Sequence, residues 1–368
     1  VNIFIYSTAA VALLVWLHLF FLHGCFWRSG PQLAAKRPRE HPPVDILVPA
    51  RDEAESIGPV IASLLAQDYA GDVRVLLIDD NSIDATAERA GRSDRLEVIT
   101  GRAKPPGWSG KLWALHQGVA MSRAPLLLLT DADIVHEPAH LAALVAQLEQ
   151  SDADLVSEMV ALRCASLAER VLVPAFVYFF QMLYPFARVN DPRSRLAAAA
   201  GGTMLVRRIA LERIGGFEMI HDALIDDVAL ARAVKRGGHI YLGHSVLARS
   251  IRPYPHFRDV WRMIARTAFT QLRYSVLLLL ATTLGLLLIG WIPVLALALG
   301  AGWGRGAGLL SAMLALASYQ PTLHRYQRSP LWALLLPVLA LFYLAATWGS
   351  AIDHWRGRGA RWKSRAYG

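Results

Sequence analysis

Cysteine is scarce: the 368 residues contain two, Cys25 and Cys164. That excludes a disulfide framework and a cysteine-based metal site. Formal charge is missing from whole stretches, with none in residues 3–27, 275–300 or 330–350. Negative charge is in the minority, 29 Asp and Glu against 38 Lys and Arg, giving a net +9 and a pI near 9.8. Such a balance suits nucleic acid or anionic lipid. No basic run is interleaved with aromatics on a soluble segment, so nucleic acid is the weaker reading. The basic residues instead flank apolar stretches: Arg28, Lys36, Arg37 and Arg39 follow the first, and Arg356, Arg358, Arg361, Lys363 and Arg365 the last.

What the chain has in excess is apolar sequence, 54% hydrophobic residues and a mean hydropathy of +0.33. Residues 3–27 are long enough to span a bilayer at about 1.5 Å per residue. No small-residue cleavage site precedes their basic flank, so residues 1–27 are expected to be an uncleaved transmembrane anchor rather than a signal peptide. Residues 28–43, with Pro31, Pro38, Pro42 and Pro43, form a basic juxtamembrane linker. Residues 275–352 form a second membrane region with spans at 275–300 and 330–350; GLLSAMLALAS between them is a third span or an interfacial hairpin. Residues 353–368 are a basic tail. The positive-inside rule puts the linker, and the domain after it, in the cytoplasm. The apolar, aromatic stretch 171–187, interrupted by Pro174 and Pro185, reads either as a core helix or as a helix lying in the lipid interface.

Between the membrane regions, 44–255 reads as one domain, followed by a basic amphipathic helix in 256–274. Short apolar runs alternate with helical patterns: DILVPA, VRVLLIDD, LEVIT, LLLLTDAD and ADLVSEM. That alternation predicts a mostly parallel sheet flanked by helices. Ligands of such sheets bind at the carboxyl ends of the strands. Three of these runs end in acid: Asp52 and Glu53, Asp79 and Asp80, Asp131 and Asp133. A buried strand running into two uncompensated carboxylates needs solvent or a cation at its end.

Three tempting motifs fail on physical grounds. His136-Glu137-Pro138-Ala139-His140 has zinc-protease spacing, but that motif needs a helix interior, where Pro138 would remove a donor and clash. Gly107–Lys111 has glycine spacing too short for a phosphate loop, and Leu112 stands where Ser or Thr would hold Mg²⁺. The glycines of 300–308 follow no strand. Ser82 and Asp84 read as turn and N-cap residues of the helix in ATAERA.

What remains resembles the family-2 inverting glycosyltransferases of the GT-A fold, over about 44–270. VDILVPARDEAESI is similar to the family's first strand and its Pro-Ala-x-Asn-Glu loop, with Asp52 in place of Asn. VLLIDDNSIDATAERA matches the second strand and its Asp-Asp-x-Ser turn, and LLLLTDADI the Asp-x-Asp motif. AGGTMLVRRIALERIGGF resembles the acceptor-side loop, and ALIDDVALARAVKRGG the segment that supplies the base. The resemblance implies a nucleotide-sugar donor held by Pro49, Ala50, Asp52, Glu53, Asp80, Lys111, Asp131 and Asp133. It implies that Asp133 reaches a divalent cation, Mg²⁺ or Mn²⁺, while Asp131 faces the ribose or metal-bound water. Gly201 and Gly202 would lie on the acceptor side. Asp227 is the implied general base, with Asp226 its rival in a place where the family more often has Glu. Lys111 matches a Gly-Lys-x-x-Ala-Leu pattern and would stabilise the departing diphosphate. The family's Q/R-x-x-R-W motif is inverted here, Trp261 preceding Arg262. Arg258, Arg262 and Arg266 share a helix face, and Arg262 and Arg266 are candidates for phosphate or lipid head groups.

The box GWSGKLWALHQG and the terminal spans look most like the bacterial hopene-associated branch, related to ceramide glucosyltransferase-like enzymes. The expectation is therefore an α/β GT-A domain between transmembrane helices, moving a sugar from a UDP-sugar to a membrane-lipid hydroxyl, a hopanoid being one acceptor. The alternatives are a processive polysaccharide synthase and an inactive lipid-binding scaffold of the same fold.

Overall fold

In the computed structural model, which describes residues 2–358, 361–362 and 365–366, the apolar runs of the central domain form strands. Leu126–Thr130, here β4, is buried at every position. A strand buried on both faces needs no polar alternation, which is why four leucines run on without a break. β1 (Val44–Ala50) is likewise buried throughout. β2 (Val73–Asp79) and β3 (Leu96–Thr100) continue the parallel set, giving the order β3-β2-β1-β4.

The other half of the sheet is mixed. β7 (Thr203–Arg207) runs antiparallel to β4, with Thr130 opposite Thr203. β6 (Leu155–Ala161) is antiparallel to β7 and parallel to β8 (Ile240–Ser250). The short β5 (Ile134–His136) pairs antiparallel with the end of β8 and closes the eight-stranded order β3-β2-β1-β4-β7-β6-β8-β5. The α/β, mostly parallel sheet expected from the alternation is present. The segment read from its motif as an acceptor-side loop includes a strand, β7, at its centre.

Helices cover this sheet through apolar residues at helical spacing. Ile57–Leu65 buries Ile57, Val60, Ile61 and Leu64, the i, i+3, i+4, i+7 stripe of an amphipathic helix. His140–Gln150 buries eight of its residues, His140 included. Pro138 lies two residues before that helix, where a missing N–H costs nothing.

At the start of β1 an acid is buried for structural reasons. Asp45 accepts two hydrogen bonds from Arg74 (both 3.2 Å), one from Ser122 Oγ (2.7 Å) and two from the Arg123 and Ala124 N–H groups (2.9 and 3.1 Å). Burial alone would raise this carboxyl, but the Arg74 and Ser122 hydrogen bonds, with the two amides, hold it down at about 2.

The chain divides into two units, this sheet domain (Pro31–Arg163 and Arg188–Pro253, with Arg361–Gly368) and a helical one (Val1–Gly30, Cys164–Ala187 and Tyr254–Ala360). In the helical unit Phe4–Leu22 and Pro330–Trp355 are long and apolar enough to cross a membrane, and Val276–Gly290 with Ile292–Leu299 would make a third such span, bent by 43°. Gly302–Arg325, which contains GLLSAMLALAS, is a 24-residue helix outside that set. Outward-facing residues of these helices are apolar, among them Phe4, Leu277, Leu284 and Leu331, as a lipid-facing surface requires.

The stretch around 171–187 forms the helix Leu167–Leu183. It starts at a capping box: Ser166 Oγ accepts from the Glu169 N–H (3.1 Å), and Glu169 accepts from the Ser166 N–H (2.8 Å). Its inner face is buried within the helical unit, where Tyr178 Oη and Ser318 Oγ are 2.7 Å apart and Tyr343 Oη donates to the Leu172 carbonyl (2.8 Å).

Candidate active site

The carboxyl ends of the parallel strands carry the acids, and each is held differently. The loop after β1 turns sharply at Asp52, whose φ is +50°. Asn and Asp tolerate the left-handed region better than other side chains, which accounts physically for either residue at this position. Asp52 fastens the β1 loop to the β2 turn: its N–H donates to Ser82 Oγ (3.0 Å) and its Oδ1 accepts from the Ile83 N–H (2.9 Å). Asp84 adds a second tie, accepting from the Ala54 and Thr86 N–H groups (both 3.0 Å). Ser82 and Asp84 are thus turn residues, and the helix Thr86–Arg89 begins without a side-chain cap.

Asp80 is 1% exposed and faces Arg51, whose Nη1 lies 3.6 Å from its Oδ2. Arg51 also donates to the Asp80 and Asn81 carbonyls. Pro49 and Ala50 close β1 just before it, the Ala50 carbonyl accepting from the Asp80 N–H (2.8 Å).

The β4 end delivers Asp131 and Asp133 in different directions, as extended geometry requires. Asp133 Oδ2 accepts from Arg252 Nε, and Arg252 Nη2 also reaches Glu53 Oε1 at 2.6 Å. One guanidinium therefore joins the β1 acid to the β4 acid. Burial would lower this arginine, but Asp133 and Glu53 outweigh it and raise it above its ordinary value. Asp131 Oδ1 is 2.8 Å from Lys111 Nζ, and that ammonium is also 3.1 Å from Asp226 Oδ2. Burial works against the Lys111 charge; Asp131 and Asp226 more than offset it. Burial raises the Asp131 carboxyl, with Lys111 pulling it back and Asp133 adding to the rise.

Asp226 and Asp227 occupy the first turn of the helix Asp226–Lys235, whose exposed N–H groups favour negative charge. Asp227 Oδ2 accepts from the Gly201 N–H (2.8 Å) and Oδ1 from the Val228 N–H (2.7 Å). A Cβ at position 201 would lie 3.1 Å from Asp227 Oδ2, so any larger residue there must push the carboxylate aside. Burial, then the like charge of Asp226, push the Asp227 carboxyl up to about 7, against the lowering effect of Lys111 and the two amides. Gly202, next in the chain, receives the Asp131 N–H at its carbonyl (3.1 Å).

The sheet domain thus joins Glu53 and Asp133 through Arg252, and Asp131, Lys111 and Asp226 with Gly201 and Asp227 beside them. Arg262 and Arg266 belong to the helical unit, exposed at and just beyond the helix Phe257–Ala265. Sequence reasoning missed Arg51 and Arg252. Arg51 sits at the unread third position of Pro-Ala-x-Asp-Glu, and Arg252 lies 119 residues from Asp133.

Asp131 and Asp133 offer hard carboxylate oxygens, which fits a divalent cation such as Mg²⁺ or Mn²⁺. Among the described residues no three His, Cys, Asp or Glu converge to hold an ion by themselves. A cation here would draw further oxygens from a substrate, and diphosphate supplies them.

The structure defines a class of domain, a mostly parallel α/β sheet whose acidic strand ends are bridged by cations. The particular family follows from comparison. The profile of glycosyl transferase family 21 matches residues 5–366, and the chain belongs to that family. An uncharacterized glycosyltransferase of Mycobacterium tuberculosis is 34% identical over 114 residues, 31% of this chain and 47% of its own length. The 4,4'-diaponeurosporenoate glycosyltransferase of Staphylococcus aureus is 34% identical over 105 residues, 28% of this chain and 27% of its own length. The chain therefore spans half or less of the curated relatives it matches. Among solved structures, a mannosyltransferase of Pyrobaculum calidifontis, in complex with GDP-Man and Mn²⁺, superposes with a TM-score of 0.54 over 95% of this chain and 99% of that one, at 18% identity. That likeness shows the fold. The resemblance to GT-A glycosyltransferases read from the motifs holds.

Proposed function

We propose that the protein is a membrane-bound inverting glycosyltransferase that moves one sugar from a nucleotide sugar, a UDP-sugar in the first instance, to a hydroxyl of a membrane lipid. The observation that carries this reading is Lys111, whose single ammonium joins Asp131 at 2.8 Å to Asp226 at 3.1 Å. It links the strand end suited to a diphosphate with the helix start suited to a base.

In this mechanism Asp227 accepts the proton of the acceptor hydroxyl as its oxygen bonds to the anomeric carbon. The bond from that carbon to the diphosphate oxygen breaks on the opposite face, and the electron pair leaves with the diphosphate. A carboxyl near 7 is close to the operating pH, where a base is most effective. Lys111 offsets the charge that develops on the leaving group. Asp133 and Asp131 would hold the divalent cation, which supplies charge neutralisation to the diphosphate. Arg252, which joins Asp133 to Glu53, adds a second positive charge beside that site.

The lipid acceptor is supported by the apolar helices and by the staphylococcal relative's being a 4,4'-diaponeurosporenoate glycosyltransferase. The helical unit also contains a cavity of about 260 Å³ lined almost wholly by apolar groups, among them Trp16, Tyr178, Met182, Ile289 and Leu336. A hopanoid is one acceptor of this chemistry. The test is incubation of the purified full chain in nanodiscs with radiolabelled UDP-sugars, Mn²⁺ and bacterial lipid extract. Label in a lipid product is expected. Persistent absence of transfer from UDP- and GDP-sugars, by protein that remains folded, would overturn the reading.

A further inference from the structure

The histidine pair set aside as a metal motif does something else. His136 ends β5 and is 5% exposed; His140 opens the next helix and is fully buried. Their Nδ1 atoms are 2.9 Å apart. His140 Nε2 meets Glu158 Oε1 on β6, and His136 Nε2 lies 3.0 Å from Thr130 Oγ1, the last residue of β4. Thr130 Oγ1 donates in turn to the Gly202 carbonyl at 3.1 Å.

These contacts have a direction. A carbonyl only accepts, so the Thr130 proton points to Gly202. Thr130 must then accept from His136, which places a proton on His136 Nε2. Burial, with the charge of His140, holds His136 well below the ordinary histidine range, so it is neutral and its Nδ1 accepts. His140 Nδ1 therefore donates, and its Nε2 faces Glu158 Oε1. The string runs Glu158, His140, His136, Thr130, Gly202, and from His140 onward each donor points toward Gly202.

Its position gives it a use. Thr130 and His136 are the residues on either side of the segment 131–135, and their 3.0 Å contact ties its two ends together. That segment carries Asp131 and Asp133. The same string ends on the Gly202 carbonyl, which also receives the Asp131 N–H. The His136 N–H is fixed separately by Ser63 Oγ at 3.1 Å.

We propose that His136 is a positioning residue for the donor site: with Thr130 it staples the Asp131–Asp133 loop shut, and holds the two carboxylates in register for a cation and a diphosphate. The inference rests on the donor-site reading above. It predicts that losing the Thr130 hydroxyl weakens cation-dependent nucleotide binding while leaving the base and its chemistry in place. Groups that orient ligands of a metal typically change affinity about tenfold or more when removed.

The experiment uses the full chain in detergent, titrated by calorimetry with UDP and with GDP in the presence of Mn²⁺, beside steady-state kinetics. Thr130→Val, which keeps the shape and removes the hydroxyl, should weaken nucleotide binding about tenfold. It should raise KM for the donor by a similar factor, with kcat within about twofold. Thr130→Ser should restore both. Equal binding by wild type and Thr130→Val, or a Thr130→Ser protein as weak as Thr130→Val, would overturn the staple. Should Thr130→Val not fold, His136→Leu against His136→Gln, whose amide keeps a donor toward Thr130, makes the same comparison. A folded wild type that binds neither nucleotide with Mn²⁺ would instead overturn the donor-site reading, and the staple with it.

Discussion

Asp226 and Asp227 sit side by side, yet their surroundings separate them. Asp226 faces the Lys111 ammonium, whereas Asp227 is held by two backbone amides and raised toward 7 by burial and by its neighbour. A carboxyl pushed up to about 7 can take and release a proton near neutrality. That difference favours Asp227 as the base and makes a testable pH prediction. The base must be deprotonated, so kcat should fall as the pH drops through about 7. Removing the Asp226 charge by Asp226→Asn should lower the Asp227 carboxyl and move this acid limb to lower pH, measured as kcat against pH. Asp227→Asn should reduce kcat by a factor of ~100 or more at every pH, with Mn²⁺–UDP affinity within about twofold. If Asp226→Asn instead abolishes turnover while Asp227→Asn retains it, the assignment reverses.

At the scale of elements, the site depends on how the Gly201–Gly202 turn meets the helix Asp226–Lys235. A Cβ at 201 would stand 3.1 Å from Asp227 Oδ2 and 3.3 Å from its Cβ. Gly201→Ala should therefore displace the carboxylate and lower kcat about 10- to 100-fold, with nucleotide binding retained. Calorimetry alongside single-turnover kinetics checks both halves of that statement. At the other end of the sheet, Asp45 joins β1 to Arg74 and to the 122–124 turn. Its carboxyl falls from 3.8 to about 2 on folding. A lowered acid stabilises the fold above its unfolded value and stops doing so as pH falls through the folded one. Its contribution is about 2 kcal/mol at neutral pH, present above 3.8 and lost between there and about 2. Asp45→Asn should lower the apparent unfolding temperature at pH 7, and the gap from wild type should close near pH 2.

The elements that were legible in the sequence are those whose signal is local. The β4 leucines announce a doubly buried strand, and the acids after β1, β2 and β4 announce the edge where ligands bind. β7 was hidden because TMLVR is five residues long and its antiparallel place beside β4 depends on a partner 73 or more residues away. Arg252 was hidden for the same reason, since nothing in IRPYP marks a guanidinium that will join Glu53 to Asp133. The histidines were visible, but as a spacing alone. Their meaning comes from Glu158 and Thr130, which arrive from two other strands.

At the scale of the whole molecule, charge and apolar length together determine orientation. Phe4–Leu22 is long enough to cross a bilayer, and Arg28, Lys36, Arg37 and Arg39 follow it. Basic residues within about 15–20 positions of a span resist transfer across the bacterial inner membrane. On this argument residues 28–43 are expected on the cytoplasmic side, where the proposed nucleotide-sugar donor is supplied. The measurement is accessibility in spheroplasts of single cysteines, in a background where Cys25 and Cys164 are serine. Lys36→Cys and Arg95→Cys, both on exposed positions of the sheet domain, should resist a membrane-impermeant maleimide until the membrane is opened. Labelling of either in sealed spheroplasts would place the donor site on the outside, where nucleotide sugars are not supplied, and would overturn the proposed orientation. Neutralising Lys36, Arg37 and Arg39 together should weaken the bias that fixes the first span, giving a mixed population that labels in part before permeabilisation.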